Sequence, residues 1–373
     1  MNRLCVGLFA PMLIAWASRA TPAQDTTRRV SSTELQQLIK FDTLWLNFLR
    51  QRNARDYAIA TPKGISVDRF IRVGGIEQWI SIRGEDRDNP VVLLVHGGPG
   101  DATSLYGWAL LRSWFKRYTV VQWDQRGAGK TYGRNGPSTP DVTIARIVQD
   151  GLELSDSLRH LLNKDNIIVV GHSFGSIVGL QMVKARPGLF SAFVGTGQIG
   201  ASSNTTLATA YRDVLATAKR RGEGVAVREL TDIGPPPWRD GRAYGVEHKW
   251  TNLLEHNDAF LNASLALMLT APGVTMRDVN DDFDGEGFSG DQLVPHLEDI
   301  DPALFHATFA VPIYVIQGAE DLTAPPSLAR ALVRNIRAPK KEFVLIPDAG
   351  HFALFTRPDA FLDALTARLG SAK

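Results

Sequence analysis

The stretch that decides the fold is Ile167-Ile168-Val169-Val170-Gly171-His172-Ser173-Phe174-Gly175. Its four apolar residues predict a short buried strand, and the pattern that follows predicts a helix over 176–186. Between strand and helix lies a G-x-S-x-G pattern, in which the glycines allow a sharp, strained turn that exposes the serine hydroxyl. The strand before this pattern and the helix after it exclude most chance matches to G-x-S-x-G. We therefore interpret Ser173 as a nucleophile rather than as an ordinary capping serine.

Similar apolar runs recur along the chain. They predict further buried strands at Val91–Val95, Thr119–Trp123, Val311–Ile316 and Phe343–Ile346. Amphipathic patterns predict helices over 31–50, 143–163, 326–336 and 358–369. Residues 69–84 are typical of a β-hairpin that turns at Gly74-Gly75. Alternating strands and helices indicate a parallel sheet with helices on both faces.

The alternation stops between residues 198 and 305. Helical patterns over 205–221 and 253–269 are separated by breakers at Pro235-Pro236-Pro237 and at Asp281–Gly290. The acidic side chains of the second breaker miss the spacing of a calcium loop, and we interpret them as a solvated loop. The stretch is therefore predicted to be a mainly helical cap inserted into the sheet domain, above the carboxyl edge of the sheet.

Two late loops supply the partners that a serine nucleophile requires. A serine hydroxyl needs a base within hydrogen-bond reach, and the base needs an acid that orients it. His351 follows the strand Phe343–Ile346 and is the predicted base. Asp321 follows the strand Val311–Ile316 and is the predicted acid, preferred over its neighbour Glu320 because successive side chains point in different directions.

Two glycine loops follow the early strands. His96-Gly97-Gly98-Pro99-Gly100 comes after the strand Val91–Val95, and we expect the backbone N–H of Gly98 to form an oxyanion hole with that of Phe174. His96 is expected to brace this loop, and His172 is expected to point away from Ser173. The segment Asp124–Thr131 ends in G-x-G-K-T but lacks the first glycine of a phosphate-binding loop, which indicates a structural role.

Composition excludes several classes of partner. Lys and Arg number 41 against 39 Asp and Glu, with no basic run interleaved with aromatic residues, so nucleic acid is not expected to bind. Neither a cysteine pair nor an H-E-x-x-H pattern is present, so we predict neither a metal nor any other cofactor. The expected partner is a small molecule or a short peptide. The sequence leaves the oligomeric state open.

The first residues are typical of an exported protein. Arg3 precedes an apolar stretch, Leu4–Ala17, and small residues follow up to Ala23, which is the pattern of a secretory signal peptide. The apolar stretch is shorter than the roughly 20 residues of a membrane-spanning helix. We therefore predict a signal peptide over 1–23, export to the periplasm or medium, and no stable membrane association after cleavage.

With these motifs in place, the chain resembles the proline iminopeptidase branch of the α/β-hydrolase superfamily from about residue 69 onward. The pair H-G-G-P-G and D-Q-R-G-x-G is the most specific part of the resemblance. It implies an α/β-hydrolase fold, which the alternation of strands and helices divides into a core over 24–197 and 306–373 and a helical cap over 198–305. It also implies a cofactor-free enzyme with the triad Ser173, Asp321 and His351, an oxyanion hole at Gly98 and Phe174, and release of an N-terminal residue from short peptides.

Two departures leave the substrate open. The turn reads G-H-S-F-G where the branch has G-G-S-W-G, and residues 199–206 contain none of the cap acids with which peptide-cutting members bind the free amino terminus. Later acids such as Glu223, Glu229 or Glu247 could serve. The leading hypothesis is therefore an exported serine hydrolase acting on a small amide or peptide through an acyl-enzyme. The alternatives are a carboxylesterase or lactonase, and a ligand-binding homologue without catalysis.

Overall fold

The computed structural model describes residues 32–238 and 241–370. The chain divides into two compact units, Met1–Leu46 and Asn47–Lys373. Of the first unit, only the helical residues from 32 onward are described, and the sheet and the candidate site lie within the second. The predicted signal peptide over 1–23 lies outside the described residues, so it and export stay predictions. Within the described ranges, no helix combines the length and apolar character needed to cross a membrane.

A single eight-stranded sheet forms the core of the second unit, in the order β1-β2-β4-β3-β5-β6-β7-β8. The strands are β1 (Ile65–Val73), β2 (Ile76–Gly84), β3 (Val91–Val95), β4 (Thr119–Trp123), β5 (Ile167–His172), β6 (Phe190–Thr196), β7 (Ile313–Gly318) and β8 (Lys341–Ile346). The β1–β2 and β2–β4 pairs are antiparallel, and the other neighbours are parallel. The mostly parallel sheet predicted from the sequence is confirmed.

The predicted strands are present with small shifts at their ends. The hairpin turns at Gly74-Gly75 as expected, but β1 begins at Ile65, before the predicted start of the hairpin at residue 69. Strand β7 begins at Ile313 rather than at Val311. Strand β6 was not predicted, because its sequence, F-S-A-F-V-G-T, interrupts the apolar run with small and polar residues.

Helices cover both faces of the sheet. Along β3, Val91, Leu93 and Val95 pack into one apolar cluster while Val92 and Leu94 pack into another, because successive side chains of a strand point to opposite faces. The helices of the sheet domain are α1 (Ser32–Asp56, shared with the first unit), α2 (Gly107–Leu110), α3 (Gly129–Asn135), α4 (Ile144–Leu162) and α5 (Phe174–Ala185), followed after the inserted stretch by α11 (Pro326–Asn335), α12 (Ala353–Thr356) and α13 (Pro358–Leu369).

Five helices lie between β6 and β7, in the interval of the predicted cap. They are α6 (Ser203–Arg221), α7 (Gly224–Ile233), α8 (Gly241–Leu254), α9 (Asn257–Leu269) and α10 (Met276–Leu293). No strand interrupts the part of this interval that the structure describes. The predicted helix over 253–269 is broken at Glu255-His256, where His256 adopts a left-handed conformation with φ of 58°. The exact domain boundaries stay a prediction.

The interpretation of Asp281–Gly290 as a solvated loop was wrong. These residues lie inside α10, which begins with a capping box formed by Thr275 and Asp278. Its buried positions, Val279, Asp282, Gly285, Ser289 and Leu293, recur at helical spacing. Val279 and Leu293 belong to the two apolar clusters, but Gly285 and Ser289 between them lie against the carbonyl oxygen of Gly127, so the composition of the middle of this face resembles that of a solvated segment.

Candidate active site

Ser173 occupies the turn between β5 and α5 with φ of 52° and ψ of −122°, a backbone conformation that residues other than glycine rarely adopt. A Cβ on Gly175 would lie 2.1 Å from the carbonyl oxygen of Val95, and one on Gly171 would lie 2.5 Å from that of Gly175. Both positions therefore require glycine, as predicted. Ser173 is partly exposed, and its N–H donates to the carbonyl oxygen of Thr196 at 3.0 Å.

Asp321 and His351 are in direct contact. The Nδ1 atom of His351 lies 3.1 Å from each carboxylate oxygen of Asp321. Asp321 also accepts hydrogen bonds from the N–H of Ala324 at 2.7 Å and from Nε2 of Gln317 at 3.1 Å. Because a carboxylate only accepts, the shared proton lies on Nδ1, and this tautomer leaves Nε2 of His351 free to accept a proton.

Glu320, the rejected alternative to Asp321, points elsewhere. Its carboxylate lies 3.5 Å from the guanidinium of Arg221, and its side chain is about half exposed. Asp321 is 2% exposed and His351 is 5% exposed. The structure therefore brings Asp321, and not Glu320, together with the histidine.

The histidine loop packs against the turn that carries Ser173. His172 Nε2 lies 3.2 Å from the carbonyl oxygen of His351, and the centroids of the two rings are 5.0 Å apart. A Cβ on Gly197, the residue after Thr196, would lie 2.7 Å from Cε1 of His351. Burial lowers the pKa of His172 to about 3, so it is a neutral packing group. His172 contacts the loop of His351, in keeping with the prediction that its side chain points away from Ser173.

The electrostatics at His351 favour protonation of its ring. Burial lowers the pKa of His351, but the charge of Asp321 and the hydrogen bond to it act in the opposite direction. The charges of Glu255 and Asp101 add to this effect, and the pKa lies above its ordinary value. Three carboxylates therefore stabilise the protonated form of the His351 ring.

The two glycine loops are joined by His96. Nε2 of His96 accepts from the N–H of Gln125 at 3.1 Å, so Nδ1 carries the proton and donates to the carbonyl oxygen of Gly97 at 2.9 Å. Burial lowers the pKa of His96 to about 4, which keeps the ring neutral. A Cβ on Gly97 would lie 2.9 Å from Cβ of Ser173, so this loop, which includes Gly98, borders the serine turn. His96 braces the loop as predicted.

The Asp124–Thr131 segment is held by buried polar contacts. Arg126, which is 1% exposed, donates through Nε to Asp150 at 2.8 Å and through Nη2 to the carbonyl oxygen of Gly74 at 2.8 Å. Asp124 accepts from the N–H of Lys130 at 2.9 Å. The side chains of Arg126 and Asp124 therefore face the protein interior, which fits the predicted structural role of the segment.

Acidic side chains gather beside the first glycine loop. Asp101 follows that loop directly, and Tyr106 Oη donates to its carboxylate at 3.1 Å. Burial, with a smaller contribution from the charge of Glu286, raises the pKa of Asp101 to about 6. The nearby Asp282, which is 5% exposed, has its pKa raised well above its usual range by burial and by Asp101, Asp124 and Glu286.

Helix α10 brings two of these acids to the loop. A Cβ on Gly100 would lie 2.7 Å from Cα of Glu286, and Ser289 Oγ donates to the carbonyl oxygen of Gly127 at 2.8 Å. The helix therefore rests on both glycine loops. Glu286 is exposed, whereas Asp282 is buried. In the described residues, no group of three or more His, Cys, Asp and Glu side chains is placed to hold a metal ion.

Sequence reasoning did not assign Asp101, Asp282 or Glu286 to the site. Asp101 could have been found, because it directly follows the H-G-G-P-G motif. Asp282 and Glu286 were missed because the segment that contains them was interpreted as a solvated loop. The cap acids considered instead lie in other surroundings: Glu229 is bound to Lys249 at 2.8 Å, and Glu247 accepts from Thr251 at 3.0 Å.

Comparison with known proteins assigns the chain to a family. Residues 90–358 match the model of the alpha/beta hydrolase fold. The chain belongs to the alpha/beta hydrolase family. The fold predicted from the sequence is thus confirmed, and membership of this family is consistent with hydrolase activity.

Individual relatives agree with the predicted branch. The chain is 26% identical over 312 residues to the "Probable aminopeptidase YbaC" of Bacillus subtilis, covering 83% of this chain and 98% of the relative. It is 28% identical to a "Probable proline iminopeptidase" of Streptomyces coelicolor, covering 78% and 91%. A solved proline iminopeptidase-related protein from Thermus thermophilus superposes with a TM-score of 0.57 at 19% identity, over 81% of this chain and 96% of that one, and shows the shared fold. The resemblance to this branch is confirmed.

Proposed function

We propose that this protein is a serine hydrolase that releases the N-terminal residue of a short peptide or of a related small amide. The observation that carries the proposal is the group of carboxylates, Asp101, Asp282 and Glu286, beside the loop that borders Ser173. The aminopeptidase names of two relatives support it.

The mechanism follows from the contacts at the candidate site. Ser173 Oγ attacks the substrate carbonyl while Nε2 of His351 takes its proton, and Asp321 stabilises the imidazolium. The N–H groups of Phe174 and Gly98 bind the oxyanion. His351 then returns the proton to the leaving amine, which leaves an acyl-enzyme. Water, activated by the same histidine, releases the acid product and restores the serine.

The acids explain why a free amino terminus would be preferred. The negative charges of Asp101 and Glu286 raise the pKa of Asp282, which means that these carboxyl groups repel one another when ionised. A substrate ammonium placed among them would relieve that repulsion and form charge-assisted hydrogen bonds. Asp101 is also close enough to His351 to raise its pKa, so the ammonium would lie near the reacting carbonyl.

Neutralising the acids is expected to weaken recognition of the amine. For Asp101→Asn and Glu286→Gln, we expect kcat/KM on an aminoacyl-naphthylamide to fall about 10- to 100-fold, since a hydrogen bond to a charged group contributes about 1.5–3 kcal/mol. The N-acetylated form of the same substrate lacks the ammonium and should lose less than about threefold. Dividing the rate on the aminoacyl substrate by the rate on its N-acetylated form cancels any effect of Asp101 on His351 itself.

Glu229→Gln is the matched control, because this cap acid is partly exposed and already paired with Lys249. Its rate ratio should equal that of the wild type. An unchanged ratio in both Asp101→Asn and Glu286→Gln would contradict amine recognition. Rapid cleavage of nitrophenyl esters with no measurable aminoacyl cleavage by the wild type would favour the esterase or lactonase alternative.

The pH dependence reports on the base. His351 must be neutral to accept the serine proton, so activity is lost as the pH falls through its pKa. Although burial lowers that pKa, Asp321 and the neighbouring acids raise it above the ordinary histidine value. We therefore expect the acid limb of kcat/KM, measured with an uncharged ester, to lie above the pH at which a free histidine titrates. A limb below that pH would contradict the assigned electrostatics.

A further inference from the structure

Glu255 lies between α8 and α9 in the inserted helical stretch. Its Oε1 atom accepts from the N–H of Leu322 at 2.7 Å, and from the N–H and hydroxyl of Thr323 at 2.9 and 3.1 Å. Its Oε2 atom accepts from the N–H of His351 at 2.7 Å. A single carboxylate thus binds the backbone that follows Asp321 and the backbone of the histidine.

The hydrogen bonds of Glu255 affect how the loops of Asp321 and His351 are placed. Asp321 and His351 are 30 residues apart in sequence and lie in separate loops after β7 and β8. Their mutual hydrogen bond depends on how these loops are placed relative to each other. The N–H of Glu320 donates to the carbonyl oxygen of Ala349 at 2.9 Å, which joins the two loops directly. Glu255 reaches both loops from the inserted helical stretch and adds a second connection between them.

The histidine loop is shaped to admit this carboxylate. A Cβ on Gly350 would lie 2.5 Å from Oε2 of Glu255, closer than real Cβ contacts come. Only glycine therefore lets the loop approach the carboxylate closely enough for the N–H of His351 to reach it. The glycine that precedes the predicted base is explained by this contact.

The same hydrogen bonds leave Glu255 little capacity for a substrate. Three donors occupy Oε1, and Oε2 accepts from His351 and, at 3.3 Å, from Nδ2 of Asn257. A carboxylate offers about four acceptor sites, and five donors already use them. A substrate ammonium would have to displace backbone donors that have no other described partner in these loops. Glu255 is thus separate in role from the acids beside Gly100.

We propose that Glu255 is a positioning residue, which holds the loops of Asp321 and His351 in the register that their hydrogen bond requires. The proposal rests on the serine-hydrolase function proposed above. It links the inserted helices to the triad, because displacement of the α8–α9 turn would also displace the acid and the base.

The test is the rate of labelling by a fluorophosphonate, which reports on Ser–His reactivity without a known substrate. Glu255→Gln keeps the shape but presents an NH2 group to backbone donors. We expect labelling to slow about 10- to 100-fold, the cost of misplacing catalytic groups by about 1 Å. Aminoacyl and N-acetylated substrates should lose kcat equally, with KM changed less than about threefold. Glu320→Gln, which removes a charge next to Asp321 without breaking these bonds, should label at nearly the wild-type rate.

The pH profile separates positioning from a general loss of stability. His351 is faced by the carboxylates of Asp321, Glu255 and Asp101 and by the rings of His172 and His248. Both of these histidines have lowered pKa values, burial being the main cause, so the negative groups dominate. Removing the charge of Glu255 should move the acid limb of labelling to lower pH, whereas loss of stability alone would leave the limb in place.

A milder variant keeps the proposal testable if Glu255→Gln does not fold. Thr323→Val removes only the hydroxyl bond to Oε1, and labelling should slow roughly fivefold, the equivalent of one hydrogen bond. Unchanged labelling in a folded Glu255→Gln, or in Thr323→Val where the former is unfolded, would overturn the proposal. So would a change confined to the ratio of aminoacyl to N-acetylated cleavage, which would make Glu255 an amine ligand. Absence of labelling in the wild type would instead reject the serine-hydrolase function.

Discussion

Ser173→Ala is expected to lower kcat by about 10⁶ while the protein stays folded, because removal of a serine nucleophile leaves only the oxyanion hole and substrate binding to act. Alanine also fits the space, since the side chain of Ser173 is partly exposed and its loss opens no core cavity. Steady-state cleavage of aminoacyl-naphthylamides and nitrophenyl esters, with circular dichroism to verify folding, measures the effect.

The control for this variant is Ser202→Ala. The Ser202 hydroxyl donates to the hydroxyl of Thr205 at the start of α6, at 3.0 Å. Its removal should leave turnover within about twofold of wild type, the range of ordinary surface substitutions. If Ser173→Ala turned substrate over nearly as fast as Ser202→Ala, the nucleophile would be a different residue, or the reaction would need no serine nucleophile.

Asp321→Asn should lower kcat by about 10⁴. The substituted amide has nearly the same shape, but it can present an NH2 group to Nδ1 of His351, which favours the tautomer with its proton on Nε2. That tautomer cannot accept the proton of Ser173. Asp321 is buried and both of its oxygens lie 3.1 Å from Nδ1, so the NH2 group of the variant stays beside the ring in either orientation of the amide.

Glu320→Gln is the adjacent comparison and should cost less than about tenfold, since Glu320 is about half exposed and faces Arg221. Measured side by side, the two variants separate the acid from its neighbour in the chain. A large loss in Glu320→Gln with near-normal activity in Asp321→Asn would reverse the assignment, and the contact between Asp321 and His351 would then be structural.

The features that the sequence predicted correctly depend on local patterns. Continuous apolar runs such as Val91–Val95 are confined to strands buried on both faces, and the structure reproduces that strand residue for residue. The serine turn could be predicted because its glycines, strand and helix are adjacent in the chain. Asp321 and His351 could be placed at the same sheet edge because each follows a strand of the parallel sheet.

The features that the sequence did not predict depend on contacts between distant segments. Strand β6 has a mixed composition and is buried only because β5 and β7 flank it. The acids of α10 lie on a face that contacts loop backbone, where polar residues and glycine replace the usual apolar stripe. Glu255 sits within a helical pattern, and its role depends on donors 67 to 96 residues away.

The central claim, that Ser173 is the nucleophile activated by His351, is tested most directly by mapping a covalent adduct. The wild-type protein is treated with a fluorophosphonate, digested and analysed by mass spectrometry. We expect one adduct per chain, on Ser173, with labelling that slows as the pH falls through the pKa of His351. An adduct on a different residue, or no adduct in a protein that hydrolyses substrate, would contradict it.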